Sequence, residues 1–173
     1  METQIDKCFA ACNDYELCEN LTRVIEEYYG YGNLEAQSEN IPEKRRLIHF
    51  LWGAFSIIEG DGYTAFWAMD CDHIALVKAL KLVQMHTLAE VAQESLENIP
   101  ADKLGDWDAL EEYFGGEEKF DKASEVYDNI FITDKPDIKG HLSAYLRLTR
   151  YNYVDLVDEL ETQLTANCII LDG

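Results

Sequence analysis

The apolar positions along the chain recur at a spacing near 3.6 residues, which is typical of amphipathic α-helices, and no segments alternate as paired strands would. Leu17 and Leu21 belong to one such stripe. It follows Asn13 and Glu16, which are spaced as in a capping box, where two side chains satisfy unpaired N–H groups at a helix start. We therefore expect an all-α fold: a single compact domain over residues 1–173 with about seven to nine helices.

The middle of the chain has the most apolar of these patterns. It predicts a core helix over about residues 42–58, ended by a break at Gly60–Gly62. Asp72 is placed to cap the helix that follows. Thr87 and Glu90 have the spacing of a second capping box, and the helix that they open should end before Pro100.

Turn residues divide the remaining sequence into further helices. Gly115 and Gly116 are expected to close a short helix, and the next helix is expected over 117–132. A helix near 137–150 should then precede a last helix, which Asn152 and Asp155 are spaced to start.

Composition indicates that this helical pattern belongs to a folded protein. The chain is 47% hydrophobic, with three Trp, ten Tyr and seven Phe, whereas disordered acidic tails are poor in such residues. The same richness argues against acidity that merely reflects adaptation to high salt. Yet 34 acidic residues face only 14 basic ones, which gives a net charge of -20. A charge of this size opposes compaction through self-repulsion. We therefore expect its electric field to have a use, which is the binding of a strongly basic surface on a partner.

The charge also limits where the protein works and what it binds. An acidic surface repels phosphate, so direct nucleic-acid binding is not expected. No apolar run is long enough to cross a membrane, and the first residues lack the basic start of a secretory signal, which favours a cytoplasmic protein. The five cysteines are an odd number, typical of reduced thiols rather than a disulfide framework.

Motifs of enzymes and metal sites are lacking in the sequence. It contains no phosphate-binding glycine loop, no nucleophile elbow and no HExxH zinc helix, and its four histidines are scattered. The segment Asp70–His73 resembles a cation site over these four residues alone. A calcium-binding loop also needs further oxygen ligands and a central glycine, which are absent here. We expect no enzyme activity, no catalytic residues, no metal and no cofactor.

The acidic residues are concentrated between positions 94 and 128, and four of them follow a helical repeat. Steps of three, four and three residues place these four carboxylates in one line, opposite an apolar face formed by Phe120, Ala123, Tyr127 and Ile130. The four are Glu118, Asp121, Glu125 and Asp128. Neighbours in such a line are about 5–6 Å apart, and each DNA strand carries one charge per roughly 3.4 Å, so the two charge densities are similar.

This similarity in charge density predicts a surface that binds the lysines and arginines of a DNA-binding protein. The alternative is a solvated helix face, which Lys119 and Lys122 favour because they interrupt the line. Glu16, Glu19, Glu26 and Glu27 are candidates for additional support. We call the predicted partner-binding carboxylates the acidic set: Glu94, Glu97, Asp102, Asp106, Asp108, Glu111, Glu112, Glu117, Glu118, Asp121, Glu125 and Asp128.

The sequence IEGDGYTAFW at 58–67, followed by Ala79–Leu80 and by LAEVA at 88–92, resembles the bacterial DNA-mimic protein family. This helical family includes a neisserial DNA mimic, and the similarity covers about residues 45–150. Asp61 here separates two glycines that the family pattern has adjacent. The glycines of this motif and Tyr63, Phe66 and Trp67 are expected to shape the core rather than to touch a partner.

The resemblance implies a helical fold and a homodimer whose acidic surface occupies the DNA-binding face of a helix-turn-helix transcription factor. We therefore expect a DNA mimic that blocks a basic DNA-binding protein from DNA. An alternative from the same charge is an immunity or antitoxin-like protein that neutralises a basic toxin or nuclease. A third is an enzyme, which would need one of the four histidines beside a carboxylate in a pocket.

Overall fold

The computed structural model describes residues 3–29, 41–133 and 136–171, apart from the side chains of Thr133 and of residues 165–171. Within these residues the chain forms nine α-helices and no strand, which confirms the all-α prediction. They are α1 (Gln4–Ala11), α2 (Asp14–Tyr29), α3 (Glu43–Ala68), α4 (Ile74–Leu82), α5 (His86–Glu97), α6 (Trp107–Phe114), α7 (Glu117–Asp128), α8 (Ile138–Leu148) and α9 (Val157–Leu171), with a π-helical turn at Asn129–Thr133 and a 3-10 segment at Arg150–Leu156.

The contacts between these helices divide the chain into two compact units. Residues 1–32 and 137–173 form unit 1, and residues 33–136 form unit 2. Unit 1 thus combines two stretches that are distant in sequence, and unit 2 is continuous. The single domain that the sequence predicts stays a prediction.

Unit 1 is built around α2, which packs against α8 and α9. The predicted capping box at its start is confirmed: the Asn13 N–H donates to Glu16 Oε2 at 2.9 Å, and the Glu16 N–H donates to Asn13 Oδ1 at 2.9 Å. Leu17 and Leu21 are fully buried. The local capping pattern and the apolar stripe therefore define this helix, as expected from the sequence.

Arg147 at the end of α8 joins that helix to the loop between α1 and α2. Its guanidinium donates to the backbone carbonyls of Phe9 and Cys12 and lies 3.3 Å from Asp14 Oδ1. Carbonyls near a helix end lack partners within the helix, so a side chain with several donors can satisfy them. One arginine thus holds three groups of this unit together.

In unit 2 the long helix α3 consists of two helical segments that meet at a kink. It continues from Glu43 to Ala68, with non-helical backbone angles only at Gly62 (φ 85°, ψ 172°). The helical run is therefore interrupted at Gly62, inside the break predicted at Gly60–Gly62, and the chain continues as a second helical segment beyond this kink. Glycine is almost the only residue that adopts this region of backbone angles without strain.

The half of α3 that follows the kink contributes the aromatic core of unit 2. The Tyr63 ring lies 5.4 Å from Phe66, 5.3 Å from Trp67 and 5.0 Å from Phe131, and Tyr127 of α7 is 5.2 Å away. Tyr63, Phe66 and Trp67 are buried, which confirms the prediction that they shape the core. This cluster fixes α7 against α3.

Several predicted helix ends differ from the structure. The Asp72 side chain does not cap α4, and Thr87 and Glu90 do not form a capping box, because α5 already begins at His86. The segment expected to start the last helix at Asn152 is a 3-10 helix. In contrast, Gly115 closes α6 in the left-handed conformation, as predicted.

The helix predicted over 117–132 is shorter than expected. Helix α7 ends at Asp128 and gives way to the π-helical turn. On its apolar face Phe120 and Tyr127 are buried, but Ala123 and Ile130 are only half-buried. None of the described helices is long and apolar enough to cross a membrane.

Candidate acidic partner-binding surface

The acidic set lies entirely in unit 2, on α5, α6, α7 and the turns between them. Ten of its twelve carboxylates are exposed, and Glu111 and Asp128 are half-buried. Residues 94–128 contain only three basic residues, Lys103, Lys119 and Lys122. The carboxylates therefore face solvent in a segment with few local counter-charges.

None of the twelve carboxylates forms an ion pair within the described part of the chain. Ion pairs with Lys or Arg occur instead at Glu19, Asp72, Asp14 and Asp6. Nine of the twelve also accept no hydrogen bond from a described residue, the exceptions being Glu97, Asp106 and Asp128. Solvated carboxylates without partners can bind an external cationic group without first losing an internal one.

Helix α7 presents the predicted line of carboxylates in part. Glu118, Asp121 and Glu125 are exposed along it, as are Lys119 and Lys122. The two lysines form no ion pair with any described carboxylate, since none lies within 4.0 Å. Three carboxylates of the line thus remain available to a partner.

Asp128, the fourth member of the line, has a different environment. Its Oδ1 accepts the backbone N–H of Tyr63 at 2.6 Å, and its Oδ2 accepts the Ser124 hydroxyl at 2.9 Å. The kink at Gly62 leaves the Tyr63 N–H without a helical partner, and Asp128 supplies one from α7. Asp128 therefore has a structural role in the fold, and its role in partner binding stays a prediction.

Asp106 also has a local structural role, because it caps α6. Its Oδ1 accepts the Ala109 N–H at 3.0 Å. Asp108 lies in the first turn of the same helix, where the helix dipole favours negative charge. The start of α6 therefore explains part of the acidity at these two positions.

A groove opens between the kink of α3 and the carboxylate line of α7. It has a volume of about 470 Å³, and its lining includes Asp61, Thr64, Asp121 and Glu125. Sequence reasoning missed Asp61 and Thr64, because only the packing of α3 against α7 brings them beside residues that are about sixty positions away. The groove gives the acidic surface a concave part.

Three exposed apolar residues lie among the carboxylates, and sequence reasoning did not select them. Trp107, Tyr113 and Val126 are 42%, 46% and 54% exposed. Aromatic residues are enriched in protein interfaces, and they contribute most where a partner covers them. Their position next to Asp108, Glu112 and Glu125 in sequence is the signal that could have identified them.

The four supporting carboxylates of α2 belong to unit 1, and each is described there by itself. Glu16 completes the capping box, and Glu19 lies 3.4 Å from Arg23. Glu27 accepts hydrogen bonds from Gln163 at 2.9 and 3.0 Å. Glu26 is half-buried. Glu16, Glu19 and Glu27 thus have partners within unit 1.

Metal-binding groups do not converge in the described residues. No group of three or more His, Cys, Asp or Glu side chains there is arranged to hold a metal ion. His73 is buried, with its Nε2 at 3.0 Å from the Phe66 carbonyl and 3.1 Å from the Trp67 carbonyl. Burial lowers the pKa of this imidazole, while the two carbonyls act in the opposite direction.

The cysteines of the described segments are free thiols. Cys8, Cys12 and Cys18 are buried and Cys71 is half-buried, whereas the Cys168 side chain lies outside the described residues. Burial raises the pKa of Cys18 to about 12, so this thiol stays protonated at neutral pH.

Comparison with known proteins gives no match: no family model, no curated protein and no solved structure matches the chain.

Proposed function

We propose that the protein is a non-enzymatic DNA mimic that binds the DNA-contacting surface of a basic DNA-binding protein and blocks its access to DNA. The observation that carries the proposal is the set of exposed carboxylates in unit 2, none of which is neutralised by an ion pair within the described residues. Such a surface offers a basic protein what a phosphate backbone offers it, namely closely spaced negative charge.

The expected partner is a helix-turn-helix transcription factor, which uses lysine and arginine for phosphate contacts. The exposed Trp107, Tyr113 and Val126 support a protein partner rather than a diffuse cation cloud, because apolar groups add affinity only against a surface that covers them. A cytoplasmic location and a homodimer belong to the same proposal.

The experiment starts with capture from cell extract on the immobilised protein at low salt, followed by elution with a salt gradient. The captured DNA-binding protein is then tested for association kinetics and for competition by duplex DNA. We expect association near 10⁸ M⁻¹s⁻¹ at low salt, as an order of magnitude, falling steeply as salt screens the surface.

A matched pair of variants locates the surface. The triple variant Glu118→Gln, Asp121→Asn, Glu125→Gln should lower the association rate at least about tenfold at low salt, because steering depends on local charge. The control Glu43→Gln, Asp70→Asn, Glu90→Gln removes the same charge from exposed positions outside the acidic set. Equal effects of both triples, or binding that is insensitive to salt, would overturn the proposal. So would capture of a toxin enzyme that duplex DNA does not displace.

A further inference from the structure

The groove between α3 and α7 contains more than a cluster of carboxylates. Thr64 lines it and is only 7% exposed, yet its hydroxyl forms no hydrogen bond with a described residue. The fully enclosed polar side-chain atoms without a partner, among the described residues, are Arg46 Nε, Trp67 Nε1 and Glu159 Oε2. The Thr64 hydroxyl is not one of them, so it keeps an opening to solvent, and the groove is the opening that this residue lines.

Thr64 is only 7% exposed, so its hydroxyl can reach few water molecules. A ligand with an N–H donor can supply the hydrogen bond that no described residue makes. The neighbouring side chains define the charge of the ligand: Asp61, Glu118, Asp121 and Glu125 line the groove against a single cation, Lys122. The groove therefore favours a cationic group with hydrogen-bond donors.

Size and donor number distinguish between cations. A volume of about 470 Å³ is far larger than one ion and leaves room for a whole side chain. An arginine guanidinium is planar and has five N–H donors that point in different directions, so it can reach carboxylates and a hydroxyl together. A lysine ammonium is a compact and strongly hydrated charge, and it gives up its water less readily.

We propose that this groove is a socket for one arginine side chain of the partner, in which Thr64 accepts a hydrogen bond while the carboxylates around it bind the guanidinium charge. The inference rests on the proposed function and adds a specific contact to it. General electrostatic attraction needs only the exposed carboxylates, whereas the socket also needs a neutral acceptor on a different helix.

The test uses the full chain and two capped glycine pentapeptides, one with a central arginine and one with a central lysine. Binding is followed by the backbone amide shifts of α3 and α7 in NMR titrations. We expect the arginine peptide to bind more tightly than the lysine peptide. Thr64→Val, which keeps shape and net charge, should weaken the arginine peptide roughly tenfold, the value of one hydrogen bond to a charged donor, and leave the lysine peptide unchanged.

Thr64→Ser is the companion variant, because it keeps the hydroxyl and should keep most of the preference for arginine. It also separates loss of the acceptor from a packing defect in α3. The socket is wrong if the two peptides bind equally well to the native chain, or if Thr64→Val binds the arginine peptide as the native chain does.

The two proposals fail in different ways. If Thr64→Val has no effect on the arginine peptide while the triple variant of α7 still loses the basic protein, the arginine socket is wrong, but the proposed DNA mimicry is supported. If the arginine peptide binds as expected but no DNA-binding protein is captured, the proposed DNA mimicry is wrong, but the arginine socket is supported.

Discussion

The Asp128 carboxylate accepts the backbone N–H of Tyr63 at 2.6 Å, across 65 positions of sequence. This contact closes the kink that Gly62 introduces in α3, and it ties the acidic helix α7 to the aromatic core. A residue that the sequence placed among the partner-binding carboxylates thus holds the helix that presents the others.

Loss of the Asp128 side chain should destabilise the fold. Asp128→Ala leaves the Tyr63 N–H without its acceptor and the Ser124 hydroxyl with only the Asp121 carbonyl, and we expect a loss of about 1–3 kcal/mol in the free energy of unfolding. Asp121→Ala removes an exposed carboxylate two turns away on the same line of α7, and it should change the free energy of unfolding by no more than about 0.5 kcal/mol. Urea denaturation of both variants measures the difference, and equal losses would contradict the assignment.

The kink gives a second prediction, with a neighbouring glycine as its control. Alanine at position 62 would have to adopt backbone angles that are almost restricted to glycine, so Gly62→Ala should lower the free energy of unfolding by about 1–3 kcal/mol. Gly60 is helical, and a Cβ there meets nothing within 4 Å. Gly60→Ala should therefore raise stability by about 0.5–1 kcal/mol. Thermal melts of the two variants should shift in opposite directions.

His73 should make stability depend on pH in the weakly acidic range. Its pKa in the folded state is lowered by burial, so the unfolded chain binds the proton more tightly. The stabilising effect of the neutral imidazole is then complete above about pH 6.5 and is lost as the pH falls from there through the lowered pKa. The free energy of unfolding, measured from pH 7.5 to 5, should fall with decreasing pH.

Two variants test whether His73 causes this fall in the free energy of unfolding. His73→Gln should flatten it, whereas His86→Gln, which replaces an exposed imidazole, should retain it. The contribution of Asp6 lies in a different range. Hydrogen bonds from Thr3 and Arg150 hold the pKa of this carboxyl far below its usual value, so its effect disappears only below about pH 4. A decline that His73→Gln leaves unchanged would show that another group is responsible.

Replacement of Arg147 by lysine should lower the stability of the protein. Its planar guanidinium reaches two backbone carbonyls, of Phe9 and Cys12, which one ammonium group cannot match in geometry. Arg147→Lys should cost about 1–2 kcal/mol of stability. Arg23→Lys alters an exposed pair along one helix turn and should cost at most about 0.5 kcal/mol. Similar losses for the two substitutions would mean that the carbonyl contacts contribute little.

Local sequence signals were sufficient for the features that depend on neighbours along the chain. The Asn13–Glu16 capping box and the left-handed Gly115 are formed by residues within one or two turns, and both predictions are confirmed. The cap proposed at Asp72 and the capping box proposed at Thr87 have equally suitable residues, but α4 begins at Ile74 and α5 at His86, and neither side-chain cap forms. Spacing alone does not distinguish these cases.

The candidate site shows the same division. The helical repeat correctly placed Glu118, Asp121 and Glu125 on one exposed face of α7, because that is a property of a single helix. The roles of Asp128 and Thr64 depend on contacts with a helix more than fifty residues away. No local sequence pattern predicts contacts between such distant residues, so the groove can be identified only from the folded structure.

The division of the chain into a continuous unit 2 and a two-part unit 1 has a consequence for how the protein is made. The ribosome makes all of residues 33–136 before residues 137–173, so the sequence of unit 2 is complete first. Helix α2 must wait with Leu17 and Leu21 uncovered until α8 and α9 are synthesised. The acidic unit can therefore assemble early, while the newly made chain relies on late pairing of its two outer stretches and is exposed to chaperones and proteases until that pairing occurs.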